Sequence, residues 1–464
     1  VSLGRTLTGA LIGLVAGAVA VAAAYTPLLE TWERRTLDLR TRAFADPTRA
    51  DPRIVAVVID QRSLDAIAAS RTEGGLEQGW PWPRDFYAAV LDYLFASGAR
   101  AVAFDLIFSE RSIYTQLEVA DDDRALAAAT AGRPVVQSVM LTREALEGPG
   151  LHADRAWPAE LQGDARVRGL RAPAADPYNK ATLPVEPLYG AAAALGWIGF
   201  EPDDDGTCRS VLPTAVYSPA GSRDAVEVWS MPFALAALMG ARIDAPVGRP
   251  AARHLRVNGR RVPLDEERRL LLRFHGGEGT YREFGFASVL AAAKRAAAGQ
   301  PVEAARPEDF RDKVVLVGAT AAGLLDLRAT SMRAVLPGYM IHATALDNIL
   351  HGDALQRPRW MWRTAALLVL GTLAGALCGA LPSLRANTPA LLALLLLYVT
   401  AAFWMFAARG AWLELVPAAL ALALAHAGVT GYGYFTEGRD RRFLRQAFAR
   451  YVAPEVVDQL VRDP

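Results

Sequence analysis

The chain has 464 residues, 52% of them hydrophobic, a larger apolar share than soluble domains usually carry, so membrane segments are the first thing to look for. Fifty Lys+Arg against 49 Asp+Glu give a formal net charge of +1, which supplies no global basic field and speaks against nucleic acid as a partner. Cys208 lies in a polar turn and Cys378 in an apolar run, so no intramolecular disulfide is expected and the fold rests on packing.

From Leu7 to Tyr25 there is no charge. About 19 residues at 1.5 Å rise cross a bilayer core of roughly 30 Å, which makes this the first span, preceded by a cytoplasmic segment 1–6. Ala22, Ala23 and Ala24 resemble a signal-peptide cleavage site, but the run is longer than such apolar regions usually are. Residues 26–359 then form an extracytoplasmic domain in which β-branched runs alternate with Ala/Leu-rich helical stretches, the pattern of an α/β fold with a largely parallel sheet and flanking helices. Strands are expected at Ile54–Ile59, Ala101–Phe108, Pro134–Leu141, Trp197–Phe200, Val211–Tyr217, Leu270–Phe274 and Val314–Val317. Helices are expected at Phe86–Ser97, Arg124–Ala131, Pro232–Met239, Ala287–Ala298 and Ile341–Leu350. Glu144–Lys180 and Ala245–Arg269, rich in Pro and Arg, read as surface excursions.

Three further apolar runs, Thr364–Leu381, Pro389–Ala408 and Leu415–Phe435, complete the membrane part within 360–435, with connections short enough only for hairpins between antiparallel helices. Arg5 precedes the first span, and Arg439, Arg441, Arg442, Arg445 and Arg450 follow the last. Positive flanks stay in the cytoplasm, so both termini are cytoplasmic and the α/β domain is outside. Arg359 and Arg363 oppose this rule but lie beside Trp360 and Trp362, as in an interfacial belt. His426, inside the fourth span, is either functional or a neutral packing residue. Segment 436–464 continues the last span as an amphipathic helix through Phe443 and Phe448 to Tyr451, and Pro454 then breaks it and opens another.

Several side chains are candidates for binding. Asp60 and Asp105 end or interrupt strands, where a carboxylate either enters the crevice at the carboxyl edge of a parallel sheet or caps the next helix. Trp80 and Trp82, held by Pro81 and Pro83, form either a ligand wall or a lid on the core. Arg84 follows them, and Asp326 follows a Gly318–Gly323 turn that lacks the Lys-Ser/Thr of a phosphate loop. The acidic triplets at 121–123 and 203–205 lack the alternating spacing of a calcium loop, and the histidines lack metal-ligand spacing, so no metal and no catalytic residue is assigned.

Leu37-Asp-Leu-Arg-Thr-Arg42, Ile54-Val-Ala-Val-Val-Ile-Asp-Gln-Arg-Ser-Leu64 and Gly79-Trp-Pro-Trp-Pro-Arg84 resemble the opening of CHASE type 2 (CHASE2) domains. The resemblance continues through Gly98-Ala-Arg-Ala-Val-Ala-Phe-Asp-Leu-Ile-Phe-Ser-Glu110, Asp204-Asp-Gly206 with Arg209, Lys313-Val-Val-Leu-Val-Gly-Ala-Thr320 and Leu336-Pro-Gly-Tyr-Met-Ile-His-Ala343. It implies an extracytoplasmic sensor with one span before it and three after, responding to an unidentified ligand. Phe448-Ala-Arg-Tyr-Val-Ala-Pro-Glu-Val-Val-Asp-Gln-Leu460 looks like the lead-in to a class III adenylate or guanylate cyclase domain, with Ala453 where that family commonly carries Ser. This second resemblance implies a homodimer joined through Phe443, Phe448 and Tyr451, transmission across Pro454, and a cyclase domain beyond Pro464. There alone Mg2+ or Mn2+ with ATP or GTP would be expected. A histidine kinase, protein kinase or diguanylate cyclase output, or a membrane-anchored scaffold without output, are the alternatives. Membrane lipid is the remaining expected partner.

Overall fold

The structure, a computed structural model, describes residues 3–70, 79–143, 177–218, 225–244, 254–321, 324, 327–381 and 383–448. Asp326, Tyr451, Pro454 and nearly all of the Glu144–Lys180 excursion lie outside the described residues. The chain divides into two compact units, Val1–Arg40 with Arg357–Pro464, and Thr41–Gln356.

The first unit holds four helices long and apolar enough to cross a membrane: Leu3–Ala24, Trp360–Ala380, Leu384–Arg409 and Val416–Thr436. The protein is a multi-pass membrane protein with one N-terminal span and three C-terminal spans flanking a large extracytoplasmic domain. Pro389 sits inside the third helix rather than at its start, and the fourth runs on unbroken to Phe448.

The first two spans meet through glycines spaced four apart. Gly9, Gly13 and Gly17 face Gly379, Gly375 and Gly371, and a β-carbon on Gly13 would stand 2.1 Å from the Gly371 carbonyl oxygen. Small residues at this spacing let helix backbones approach closely where lipid supplies no hydrophobic drive for association.

The helix Pro27–Ala43, absent from the sequence expectations, carries a buried polar node. Glu33 is 1% exposed and Arg40 0%. The Glu33 carboxylate accepts hydrogen bonds from Arg40 Nη2 (2.9 Å), Trp412 Nε1 (2.9 Å), and the backbone amides of Leu415 and Val416 (2.8 and 2.9 Å). It thus caps the N-terminus of the fourth span, where amides lack intrahelical partners and a negative charge is favoured. Arg40 returns a bond to the Leu413 carbonyl at 2.8 Å. Beside this node Arg357 forks onto Glu30 (2.8 Å to both oxygens) and reaches Glu414 at 2.8 Å, and Arg363 also pairs with Glu414. Burial works against the charge on Arg357, but Glu30 and Glu414 outweigh it and hold its pKa above the usual value. Arg363, which opposed the charge rule, is therefore neutralised in place.

In the second unit we number only the strands of the central sheet: β1 Ile54–Ile59, β2 Ala101–Phe104, β3 Val135–Thr142, β4 Lys180–Thr182, β5 Ala194–Trp197, β6 Arg282–Gly285 and β7 Val314–Ala319. The order is β6-β1-β7-β2-β3, with β4 and β5 both joined to β3, and only β4 runs antiparallel. Every residue of β1, β2 and β7 is buried. Helices cover both faces, which is why these strands read as unbroken apolar runs. Val55, Val57, Val102, Phe104, Val315 and Val317 pack toward Arg84–Ala96 and Phe286–Ala297. Ile54, Ala56, Ala101, Ala103, Val314 and Leu316 pack toward Met231–Leu238 and Gly338–His351.

The Ala245–Arg269 stretch is not a surface excursion where it is described. His254–Val257 and Arg260–Pro263 form an antiparallel hairpin that buries Leu255, Val257 and Val262 in the core. Asn258 and Gly259 both take positive φ, 50° and 77°, the two-residue turn that matches strand twist. β6 also went unread, because Arg-Glu-Phe-Gly is half polar; it lies at the sheet edge with β1 its single neighbour.

Candidate functional site

β1 is followed by helices on one face of the sheet, as is β2, whereas adjacent β7 leads to Gly338–His351 on the other face. Connections that part in this way open a crevice at the carboxyl ends of the strands, the usual ligand position in open α/β sheets. Asp60 and Asp105 flank this region. Asp60 spends its carboxylate as a helix cap, accepting from the Ser63 amide at 2.8 Å. Gly318 and Ala319 close β7, and the amides of Thr320 and Ala321 both donate to the Ile59 carbonyl (3.0 and 3.1 Å), so they are not turned outward to cradle a phosphate.

Asp105 is 7% exposed, and its Oδ1 lies 3.7 Å from His342 Nε2. His342 is buried, which pushes its pKa down to about 3 and keeps the ring neutral. The ring also makes a tilted stack on Phe200, centroids 4.7 Å apart. Sequence reasoning missed His342 and Phe200, because the contacts join residues far apart in the chain.

Phe200 belongs to the wall of a cleft of about 770 Å³ lined by the ends of β3 and β5, Tyr178, Arg143, Glu201, Arg269 and Arg328. Arg143 lies over the Tyr178 ring at 4.0 Å and pairs with Glu201 at 2.7 Å, while the Tyr178 hydroxyl donates to the same carboxylate at 2.5 Å. Arg269 approaches Glu201 at 3.5 Å. Burial alone would raise the Glu201 pKa, but the Tyr178 and Arg143 hydrogen bonds outweigh it and keep the carboxylate ionised. Its volume and mixed lining fall in the range of small-molecule sites, and the cleft is shallow and open to solvent.

Of the other predicted residues that are described, Trp82 and Arg84 are buried and Trp80 is exposed. Trp82 is 3% exposed and stacks on Phe286 at 5.0 Å, with Trp80 edge-on against it at 5.1 Å and 42% exposed. Arg84 is buried; its guanidinium pairs with Asp123 and donates to the Glu110 carbonyl, and its amide donates to Asp122 at 2.7 Å. Asp122 also accepts from the hydroxyls of Ser112 and Thr115, each at 2.6 Å. Asp203 and Asp205 clamp Arg209 at 2.8 Å each, which holds the Asp205 pKa down at about 2. Both acidic triplets thus anchor arginine. Among the described residues no group of three or more His, Cys, Asp or Glu is placed to hold a metal. In the first unit His426 Nδ1 lies 3.8 Å from Cys378 Sγ.

The CHASE2 domain family matches residues 14–381. The chain belongs to that family. No curated protein and no solved structure matches it. The CHASE2 match spans the α/β unit, the second membrane helix and the first helix from Leu14 onward, so Gly17, Gly371, Gly375 and Gly379 fall within it and Gly9 and Gly13 lie before it. The carboxyl-edge cleft and the Asp105–His342–Phe200 contact lie inside the CHASE2 sensor domain itself.

Proposed function

We propose that this CHASE2 protein is a ligand-responsive transmembrane sensor that, as a homodimer, regulates a cytoplasmic class III nucleotide cyclase. The observation that carries the sensor reading is the carboxyl-edge cleft inside a CHASE2 domain tied covalently to four spans. His342, behind the cleft wall, sits near the start of the Gly338–His351 helix. The same helix carries Asp347, whose carboxylate accepts from the Asp51 amide at 3.1 Å and the Tyr281 hydroxyl at 3.0 Å. It also carries Asn348, which exchanges two hydrogen bonds with the Arg273 backbone (2.8 and 3.1 Å). One helix therefore links His342, behind the cleft wall, to Asp51 near the start of the domain, and the second span follows within ten residues of it.

The cyclase output rests on the resemblance of Phe448–Leu460, and dimer pairing through Phe443, Phe448 and Tyr451 follows from it. Transmission requires only that the stimulus bind two bundle arrangements unequally. Two measurements test the proposal. The polypeptide beyond Pro464 is expected to bring metal-binding aspartates of a cyclase; a kinase histidine motif there would assign a different output. Deleting 436–453 is expected to abolish stimulus-dependent cyclic nucleotide synthesis by the whole protein, and a persisting response would defeat the transmission route.

A further inference from the structure

The amino-terminal edge of the central sheet, opposite the cleft, borders a second cavity of about 470 Å³. Arg53 and Arg100 stand just before β1 and β2, the strands on either side of β7. Met239 follows the Met231–Leu238 helix, Leu350 lies near the end of Gly338–His351, and Asn258 and Arg260 belong to the turn of the antiparallel hairpin. All six line the cavity, and all lie within the second unit.

Among the described lining residues there is no carboxylate. Arg53 spends Nε and Nη2 on Asp51, at 3.0, 3.1 and 2.6 Å, which matches its charge and leaves Nη1 over. Arg100 donates Nη2 to the Met239 carbonyl at 3.1 Å, a neutral acceptor that leaves the guanidinium charge uncompensated. Arg260 is exposed, and neither it nor Arg100 enters an ion pair among the described residues. Three arginines minus Asp51 leave two positive charges in excess. Asp312 and Lys313 precede β7 on the same edge, outside the lining, and offset one another. Asn258 Oδ1 accepts the Arg242 amide at 2.9 Å, so its acceptor is used and its two amide N–H donors are not. Guanidinium and amide donors without a facing carboxylate are a donor set for phosphate oxygens.

We propose that this amino-edge cavity binds a phosphate ester, with Arg100 and Arg260 on the phosphate oxygens and Arg53 Nη1 and the Asn258 amide completing the donors. Its volume leaves room for the alcohol part of a small ester. The same group is carried by soluble esters and by glycerophospholipid headgroups. The site stands apart from the carboxyl-edge cleft and needs no role for it. Its ligand would lie against Leu350 and beside Arg53, whose partner Asp51 donates its amide to Asp347 of the same helix at 3.1 Å.

The test uses the whole chain in phosphatidylcholine nanodiscs and titration calorimetry with glycerol 3-phosphate, with glycerol as the uncharged counterpart. Glycerol 3-phosphate is expected to bind saturably at one site per chain, and glycerol not to. Arg260→Gln should weaken binding by about tenfold or more, the worth of a hydrogen bond to a charged group, and should flatten its salt dependence. Asn258→Asp keeps the acceptor for Arg242 and a residue suited to the turn before Gly259, but it sets a negative charge at the cavity. It should abolish binding with little change in thermal midpoint. Arg261→Gln, on the same exposed hairpin but outside the lining, should bind like the parent. Native mass spectrometry of chains released from mixed phosphatidylcholine and phosphatidylglycerol nanodiscs separates the two sources. More phosphatidylglycerol retained by the parent than by the Arg100→Gln, Arg260→Gln double variant assigns the site to a lipid headgroup; equal retention with soluble binding assigns it to a free ester. Neither soluble binding nor a difference in retained lipid, equal binding of glycerol, or Arg261→Gln weakening binding as much as Arg260→Gln would each overturn the assignment.

Discussion

Replacing Gly13 by Ala adds one methyl group where the first and second spans are closest. The new β-carbon would lie 2.1 Å from the Gly371 carbonyl oxygen and 2.9 Å from both the Gly371 carbonyl carbon and the Gly375 α-carbon. All three are backbone atoms, so no side chain can turn aside. Ordinary contact begins near 3.4 Å; the difference, 3.4 − 2.1, requires the helices to part by 1.3 Å at the crossing. Dispersion falls steeply over such a gap. Overpacking of this kind costs about 1–3 kcal/mol. Steric trapping of the whole chain in bicelles should show that loss in unfolding free energy. Gly431→Ala is the control, because a β-carbon there has nothing within 4 Å. Gly375→Ala, 2.1 Å from the Gly9 oxygen, should behave like Gly13→Ala, and the pair should be less than additive, since one separation relieves both. Equal stability of Gly13→Ala and Gly431→Ala would refute the packing argument.

Two further substitutions separate structural from binding roles. Burial raises the Asp265 pKa to about 6 against the opposing amides of Arg269 and Glu267, which donate to Oδ1 at 2.8 and 2.9 Å. Because the folded value lies above the usual 3.9, its contribution is complete below about pH 4 and is lost as pH rises through 6. Asp265→Asn keeps the acceptor, so it should flatten this slope in pH-dependent melts and raise stability at pH 7 by about 1–2 kcal/mol; an unchanged slope would contradict it. Arg84→Met leaves Asp123 buried and short of its cation, a loss of about 3–5 kcal/mol, and should lower the thermal midpoint markedly. A stable Arg84→Met protein that merely lost its response would return Arg84 to the ligand site.

The spans, their order and the buried strands of the sheet are legible in the sequence because both depend on local apolar runs. A parallel strand covered on two faces reads Ile-Val-Ala-Val-Val-Ile without interruption, and a span reads as twenty uncharged residues. What is not legible is held by contacts between distant residues. Nothing in Glu33 marks it as the cap of a helix that starts 383 residues later, and His342 meets Asp105 and Phe200 only after the sheet has formed. Two features had a readable signal that composition concealed. Asn258-Gly259 announces its hairpin, but the surrounding arginines make the segment look solvent-bound. Three glycines at four-residue spacing in each of two apolar runs announce close helix packing, though alanine on every side dilutes the pattern.

The Glu33 node narrows the kinds of motion by which a message can cross the bilayer. Sliding the segment after the first span past the turn before the fourth would break three bonds into Glu33 and one from Arg40 to Leu413. At about 1.5–3 kcal/mol for each bond to a charged group, that exceeds the roughly 5.5 kcal/mol of differential affinity needed to invert a two-state population from 1:99 to 99:1. A piston stroke of one helix would therefore cost more than the population shift itself requires. Displacements that carry the first and fourth spans together, a tilt or a turn of the whole bundle, leave these bonds in place and reach the cytoplasm as a change in angle rather than in depth.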